Sequence, residues 1–394
     1  MPLHRIRAVY MRGGTSRALV FRAEDLPADR AQWDAIFLAA MGVPDPNGRN
    51  LDGMGGGLSS LNKVCVVAPP SRAEADVDYT FIQLTPDTAT VDYGGNCGNM
   101  SSAIGPFAVE EGLVPCPPDG EAVVRIHNTN TDKIIVARFP IENGSLATQG
   151  DLALDGVAGT AAAVKLEFLD LGGAKTGKLL PTGHAVDVLQ LPPSPEPQAA
   201  VGQREGLSIA ASLVDAANPC VFVRAEDVGK TGAELPGELE ADAKFLATME
   251  SIRRAASVAM GLAPDLSAAA KLASIPKVAM LAAPQDSPTL SSKLAASDHD
   301  LAVRMISVGQ PHRAVPITGA LCLAVAARVR GTIAEQLCTA GKGSIRIGHA
   351  SGTTSVDARV TERADGSFHA EYGAVFRTAR RLFEGCVLYP SKES

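Results

Sequence analysis

Val20-Phe21-Arg22-Ala23-Glu24-Asp25-Leu26 is answered further along the chain by Phe222-Val223-Arg224-Ala225-Glu226-Asp227-Val228. Each segment runs from an apolar strand into a polar turn, and Ala23 and Ala225 lie 202 residues apart. Three more echoes follow in the same order. Lys63-Val64 before an apolar run returns as Lys277-Val278, Val124-Arg125-Ile126 as Ile345-Arg346-Ile347, and Ala137-Arg138 as Ala358-Arg359. The offsets are 214, 221 and 221, so they never decrease, as small insertions in one half would require. One echo carries little weight, but four in order predict two homologous halves, 1–190 and 205–394, joined by the proline-rich Leu191-Pro192-Pro193-Ser194-Pro195-Glu196-Pro197. The chain's 394 residues also exceed one ordinary core.

The pattern within a half is mixed α/β. Residues 5–11 alternate like a strand, Arg12 to Ser16 reads as a turn, and Ala18 to Phe21 is a second strand. Pro27 to Met41 places Trp33, Ile36, Phe37 and Ala40 on one helical face. A glycine loop, Asp52-Gly53-Met54-Gly55-Gly56-Gly57-Leu58-Ser59-Ser60, leads through Asn62-Lys63 into the strand Val64 to Val67. About one strong helix per half is expected, with a site between the halves.

Composition excludes several classes. Aromatics make up 4%, which argues against stacking platforms for single-stranded nucleic acid. A net charge of −7 without a basic block argues against a nucleic-acid partner. Met1 to Arg7 lacks the apolar core of a signal peptide, and the richest apolar run, Ile317 to Ala327, ends at Arg328, so no membrane partner is expected. The seven cysteines, at 65, 97, 116, 220, 322, 338 and 386, contain no CxxC pair and suggest neither a disulfide framework nor a zinc site. A cytoplasmic location fits them.

The chemistry concentrates at Asp92-Tyr93-Gly94-Gly95-Asn96-Cys97-Gly98-Asn99-Met100-Ser101-Ser102, which opens the apolar helix Ala103 to Val109. Free N–H groups and the helix dipole favour a thiolate and can hold a carboxylate at such a place. The competing reading is a buried small residue, since free cysteine is among the most buried types. Carried across the repeat, Cys97 falls on Pro316, 219 residues on, ahead of Ile317-Thr318-Gly319. Both halves start their main helix from a glycine-bearing turn, and only one turn has a thiol.

Lys63, ending the glycine loop and opening an apolar strand, is the second candidate. Partial desolvation makes such an amine usable as a carbon-acid base, while a snorkelling surface lysine is the competing reading. Gly13-Gly14-Thr15-Ser16 and His349-Ala350-Ser351-Gly352-Thr353-Thr354 can each hold a carboxylate through N–H groups and hydroxyls. His312 lies just before the second helix turn, with a structural histidine equally open. His4, His299 and His369 read as surface residues. Asp298-His299-Asp300 does not read as a metal site, because adjacent side chains point apart. The GxG in the glycine loop lacks the βαβ context and acid of a dinucleotide site, and neither a P-loop nor a G-x-S-x-G elbow occurs.

Met11-Arg12-Gly13-Gly14-Thr15-Ser16, Asp52-Gly53-Met54-Gly55-Gly56, Lys63-Val64 and Asn96-Cys97-Gly98-Asn99, in this order, resemble the PrpF family over essentially the whole chain. That family includes 2-methylaconitate isomerase, oxalomesaconate tautomerase and 3-methylitaconate isomerase. The resemblance implies a diaminopimelate-epimerase-like fold: two similar α/β domains, each a curled sheet around a central helix, with the active site in the cleft between them. Epimerase relatives oppose two cysteines, one per domain. Pro316 at the second place argues against epimerisation and for Lys63 and Cys97 as an unequal pair. The implied reaction is a 1,3-allylic proton shift on an unsaturated di- or tricarboxylate, with Lys63 as base and Cys97 as acid or hydrogen-bond donor. Gly98 and Asn99 N–H groups would hold one carboxylate. Opposing groups, Ser16, Ser307, His312, Thr318 and Gly319, would hold the others, with Arg12, Thr15 and Asn96 as further substrate-binding residues. No metal or organic cofactor is implied, and a homodimer is compatible with the resemblance. Gly57-Leu58-Ser59-Ser60 and Gly94-Gly95-Asn96-Cys97 look closer to the methylaconitate members than to the tautomerases. A non-catalytic carboxylate-binding protein would keep the turns and dispense with Lys63 and Cys97.

Overall fold

The computed structural model describes residues 3–154, 156–192, 207–272 and 274–390. Most of the expected proline-rich linker, from residue 193 on, lies outside them. The chain forms two compact units, Met1–Phe168 with Phe376–Ser394, and Leu169–Val375. The boundary therefore differs from the expected 1–190 and 205–394. The last strand explains part of the difference, because it returns to pair with the first.

In the first unit β1 (Leu3–Gly13) turns into the antiparallel β2 (Ser16–Arg22). A crossover through helix α1 (Trp33–Met41) delivers β3 (Lys63–Ala68) parallel to β2, with Ala18 facing Lys63. Strand β4 (Val77–Leu84) returns antiparallel. Helix α2 (Gly98–Glu110) follows, then the hairpin of β5 (Gly120–Asn128) and β6 (Lys133–Glu142).

The second unit repeats this plan. Strand β7 (Asn218–Arg224), the crossover helix α3 (Ala243–Ala259) and the parallel β8 (Lys277–Ala282) place Cys220 opposite Lys277. Strand β9 (Leu301–Ser307), helix α4 (Ile317–Ala326) and the hairpin β10 (Ile345–His349) with β11 (Gly352–Glu362) complete it. Strand β12 (Ala379–Pro390) then pairs with β1, from Leu3 opposite Pro390 to Gly13 opposite Ala379.

The strands bury both faces because in each unit one long helix covers each face, where one strong helix per half was expected. Among the described residues the second unit adds three short helices, Pro236–Glu240, Leu266–Lys271 and Ile333–Leu337. On the outer face Ile6, Ala8, Tyr10, Leu19 and Phe21 pack with Trp33, Ile36, Phe37 and Ala40 of α1. Val221 and Val223 pack likewise with Phe245, Met249, Ile252 and Ala256 of α3. On the inner face α2 packs against β1, β5, β6 and β12, and its residues Met100 to Val109 are all buried. Helix α4 packs against β7 and β11 and buries Gly319 to Ala326. Each fully buried Phe or Leu of this kind contributes about 1.5–3 kcal/mol.

The pairing registers support three echoes and correct one. Ala18 to Cys220 keeps the offset 202, Lys63 to Lys277 keeps 214, and Ile126 to Ile347 keeps 221. Val124, however, faces Ala137, whereas Ile345 faces Val356. The counterpart of Ala137 is thus Val356, at 219, and Ala358 corresponds to Phe139. The second hairpin turns between His349 and Gly352, the first between Asn128 and Lys133, so two residues are lost in the turn. Nor do the offsets rise steadily: Val64 faces Ile82 and Val278 faces Ile306, which gives 224 at β4 and β9.

Candidate active site

Helix α2 starts at Cys97, whose extended backbone (φ −112°, ψ 100°) lets its carbonyl accept from Ser101 N at 2.9 Å. No side chain caps this end. The buried Ser101 and Ser102 satisfy their hydroxyls within the turn, on Cys97 O at 3.1 Å and Asn99 O at 2.6 Å. The first N–H groups of the helix stay free for a ligand. Cys97 itself is half-buried.

The β1–β2 turn closes on this helix start. A Cβ on Gly13 would lie 2.5 Å from Asn99 O. Gly14, at φ +51°, would bring one to 2.3 Å from Asn99 Oδ1, so glycine is required by both conformation and space. Asn99 Nδ2 donates to Thr15 Oγ1 at 3.1 Å, Ser16 is buried, and Asn96 Oδ1 accepts from Ser101 Oγ at 3.2 Å. Two segments more than eighty residues apart in sequence thereby form one surface of N–H groups, amides and a hydroxyl.

Arg12 is placed differently from the expectation of a ligand-binding guanidinium. Its Nη1 donates to Gly14 O and Thr378 O, both at 3.0 Å, and to Thr378 Oγ1 at 2.9 Å. It braces the turn. The guanidinium beside the helix start belongs to Arg377, which sequence reasoning missed. Its Nε donates to Asn99 Oδ1 at 3.2 Å and its Nη1 to Phe376 O at 2.9 Å. Burial lowers its pKa, and Cys97 is the group that opposes this. Arg377 lies 278 residues from Asn99, and no local pattern marks it.

Lys63 opens β3 with its side chain 8% exposed. Its Nζ donates to Gln83 Oε1 and sits 5.1 Å from the Phe81 ring centroid. Gln83 is fixed in that orientation because its Nε2 donates to Ser59 O, Asn62 O and Leu84 O, each at 3.0 Å. Among the described residues no carboxylate pairs with Lys63. The glycine loop before it is scaffold: Gly53 approaches the Gly42 backbone where a Cβ would sit 2.1 Å away, and Asn62 ties to Gly56 O and Leu58 O. Lys63 and Cys97 both lie within electrostatic reach of one buried thiol, Cys65. Cys65 is raised by burial first, then by Cys97, and lowered by Tyr79 and Lys63. Tyr79, raised by burial, feels the same two thiols.

In the second unit α4 starts from Pro316 (φ −58°, ψ 144°), whose carbonyl accepts from Ala320 N at 2.8 Å. Thr318 is exposed, while Gly319 is buried, with Met305 Sδ 2.5 Å from where its Cβ would be. Ser307 Oγ accepts from Lys277 Nζ at 3.1 Å, a lysine that sequence reasoning used only as a repeat marker. His312 N donates to Met305 O at 2.8 Å, and its ring is held below the usual pKa by burial and by Lys277. The His349–Thr354 turn closes on itself, with His349 Nε2 and Thr354 Oγ1 2.9 Å apart and Ser351 Oγ donating to Arg313 O.

His299 corrects the surface reading. It is 1% exposed, with Nδ1 3.1 Å from Ala295 O, and its ring lies where a Cβ on Gly348 would be. Asp300 beside it turns away to hold Arg346, so this triplet is structural.

No helix among the described residues is long and apolar enough to cross a membrane. The chain matches the PrpF protein family over residues 3–390. It is 39% identical over 403 residues to a 2-methyl-aconitate isomerase of Cupriavidus necator, covering 99% of this chain and 98% of that one. It is 37% identical over 382 residues to a (4E)-oxalomesaconate Delta-isomerase of Novosphingobium sp. (strain KA1), covering 96% of each. A crystal structure of methylitaconate-delta-isomerase superposes with a TM-score of 0.87 at 38% identity, over 99% of this chain and 96% of that one. With the glycine turn, the lysine strand and the cysteine-capped helix in one unit and their repeat in the other, the chain belongs to the PrpF family.

Proposed function

We propose that the protein is an isomerase that moves a double bond of an unsaturated di- or tricarboxylate by a 1,3-allylic proton shift, with 2-methylaconitate as the substrate that fits best. The observation that carries this reading is a buried lysine without a carboxylate partner among the described residues, in the same unit as a cysteine that opens a helix with no side-chain cap, both within electrostatic reach of Cys65. The Lys63 amine takes a proton from the carbon next to a carboxylate. The electrons pass into a dienolate, and the Cys97 thiol returns a proton two carbons along or donates a hydrogen bond to the dienolate. The Gly98 and Asn99 N–H groups hold a carboxylate and the negative charge that develops on it. Arg377 adds a fixed cation beside Asn99. Ser307, His312, Thr318 and Gly319 are the second unit's candidates for carboxylate binding. A cytoplasmic location belongs to this reading, and no metal or organic cofactor does.

Oxalomesaconate is the second substrate reading, favoured by a relative of nearly equal identity. The test is incubation in deuterated water with 2-methylaconitate, trans-aconitate, itaconate and oxalomesaconate analogues, followed by proton NMR. Deuterium entry with double-bond migration is expected for one of them. Absence of both across the set overturns the isomerase reading and leaves a carboxylate-binding protein. Lys63→Met abolishes exchange at the carbon it deprotonates, and a near-normal rate there removes Lys63 from the base role.

A further inference from the structure

The second unit carries a lysine at the ladder position of Lys63. Lys277 opens β8 opposite Cys220 on a parallel neighbour, as Lys63 opens β3 opposite Ala18. In each case the ammonium reaches a neutral oxygen on the antiparallel neighbour, Ser307 Oγ at 3.1 Å in one and Gln83 Oε1 in the other. Among the described residues Lys277 meets no carboxylate. The half-buried Lys277 ammonium donates to one hydroxyl among the described residues, which leaves N–H groups available to an anion.

Two neighbours point to the same anion. His312 is kept neutral near pH 7 by burial and by the field of Lys277, so its ring has one N–H to give. Its Nε2 is buried and has no hydrogen-bond partner among the described residues, whereas buried polar atoms in folded proteins nearly always have one. The ten-residue helix α4 begins close by, since Gly319 packs on Met305 and Met305 accepts from His312 N. The chemistry differs from that around Lys63. The cap residue is Pro316, so the second helix start supplies no thiol to complete a proton relay with Lys277, and Cys220 on the neighbouring strand turns its thiol to Asn218 O. A cation, a hydroxyl and an imidazole nitrogen are suited to holding an anion.

We propose that Lys277, with Ser307 and His312, forms a carboxylate-binding site in the second unit and that it takes a carboxylate of the enzyme's substrate. The identity of the ligand rests on the isomerase reading; the site itself does not. Lys277 is then a binding residue, the counterpart of Lys63 with the proton chemistry removed.

The test uses trans-aconitate and the full-length protein. Calorimetry on the Lys63→Met protein, which does not turn over, is compared with Lys63→Met/Lys277→Gln. Affinity is expected to fall about 10- to 100-fold, the range for a charge-assisted hydrogen bond, with partial recovery in Lys277→Arg. In Lys277→Gln alone KM rises by a similar factor while kcat falls less. Unchanged affinity overturns the proposal. So does loss of deuterium exchange at unchanged affinity, which would make Lys277 a proton carrier. If Lys277→Gln does not fold, Ser307→Ala carries the test through a several-fold loss of affinity, and no loss overturns it. If the unmodified protein exchanges no proton in any acid while Lys277→Gln still weakens binding, the isomerase reading fails and the site stands.

Discussion

At Cys97 the first central helix starts from a thiol; at Pro316 the second starts from a ring with neither a side-chain donor nor a backbone N–H. Both caps are extended, and both give their carbonyl to the residue four along. The strands leading to them match as well, down to a lysine opening β3 in one unit and β8 in the other. One scaffold therefore carries two different sets of side chains at its helix starts. The difference lies in side chains that the scaffold does not need: Cys97 against Pro316, Gln83 against Ser307, and Arg377 beside the first helix alone. An enzyme built this way can place proton transfer in one unit and anion binding in the other without redesigning either core.

The largest effect expected from breaking this comparison is at the cap. Cys97→Ser keeps size and hydrogen bonding but removes an acidic thiol, and it should cost about 10²- to 10⁴-fold in kcat/KM for isomerisation. Adding Pro316→Cys to that variant should restore nothing, because Lys277 is placed to bind rather than to move protons. Steady-state kinetics on the single and double variants check this. Recovery in the double variant would mean that the two caps are interchangeable.

The repeat was legible in the sequence because apolar strands before polar turns survive divergence, and the PrpF resemblance rested on four short segments that the structure places in one unit. Lys63 and Cys97 were legible as local features, a lysine opening a strand and a cysteine opening a helix. What the sequence hid was register. The two-residue shortening of the second hairpin shifts Ala358 from the counterpart of Ala137 to that of Phe139, and nothing local reveals it. Arg377 was hidden for the same reason, since its meeting with Asn99 depends on the last strand, which starts two residues later, pairing along β1. His299 read as polar surface, yet its ring fills the space above Gly348, a tertiary contact with no periodic signature.

Register also explains a volume exchange between the units. Gly105 in α2 has Phe139 Cε1 2.7 Å and Ala137 Cβ 3.0 Å from where its own Cβ would lie. By the offset of 219 the second unit has Ala324, Ala358 and Val356 where the first has Gly105, Phe139 and Ala137, so the larger strand residue stands at a different one of the two strand positions in each unit. Gly105→Ala gains up to about 1 kcal/mol of helix propensity but forces Phe139 to move, at about 1–3 kcal/mol. A net loss of about 1 kcal/mol is expected. Phe139→Ala alone should cost about 3–5 kcal/mol. In the double variant the Gly105→Ala penalty should vanish, a coupling that thermal denaturation of all four proteins measures. Additive losses would show that the helix and strand adjust independently. The buried Ala324→Gly should lose at least the propensity, about 1 kcal/mol.

The smallest expected effect lies where the units are most alike. Arg125 holds Asp76 through Nη2 at 2.9 Å and its backbone N–H at 2.7 Å, and Arg346 holds Asp300 through Nη2 at 2.8 Å and its backbone N–H at 2.8 Å. Burial pushes both carboxyls up, but the arginine hydrogen bonds prevail and leave each below the usual carboxylate pKa. The sign follows from linkage: a depressed folded-state pKa gives stability present above the unfolded value, near 4, and lost as pH falls through the folded value. The guanidinium groups are about half exposed, 49% for Arg125 and 44% for Arg346, so solvent discounts each pair to about 1 kcal/mol. Asp76→Asn and Asp300→Asn should thus lower stability by similar small amounts at pH 7, and the gap to the parent protein should close below about pH 3. Denaturant melts at the two pH values check this. Asp300 is the less exposed of the two, 15% against 24%, so any inequality should favour the second unit's pair. The reverse order would show that the shared geometry is weighted by something other than burial.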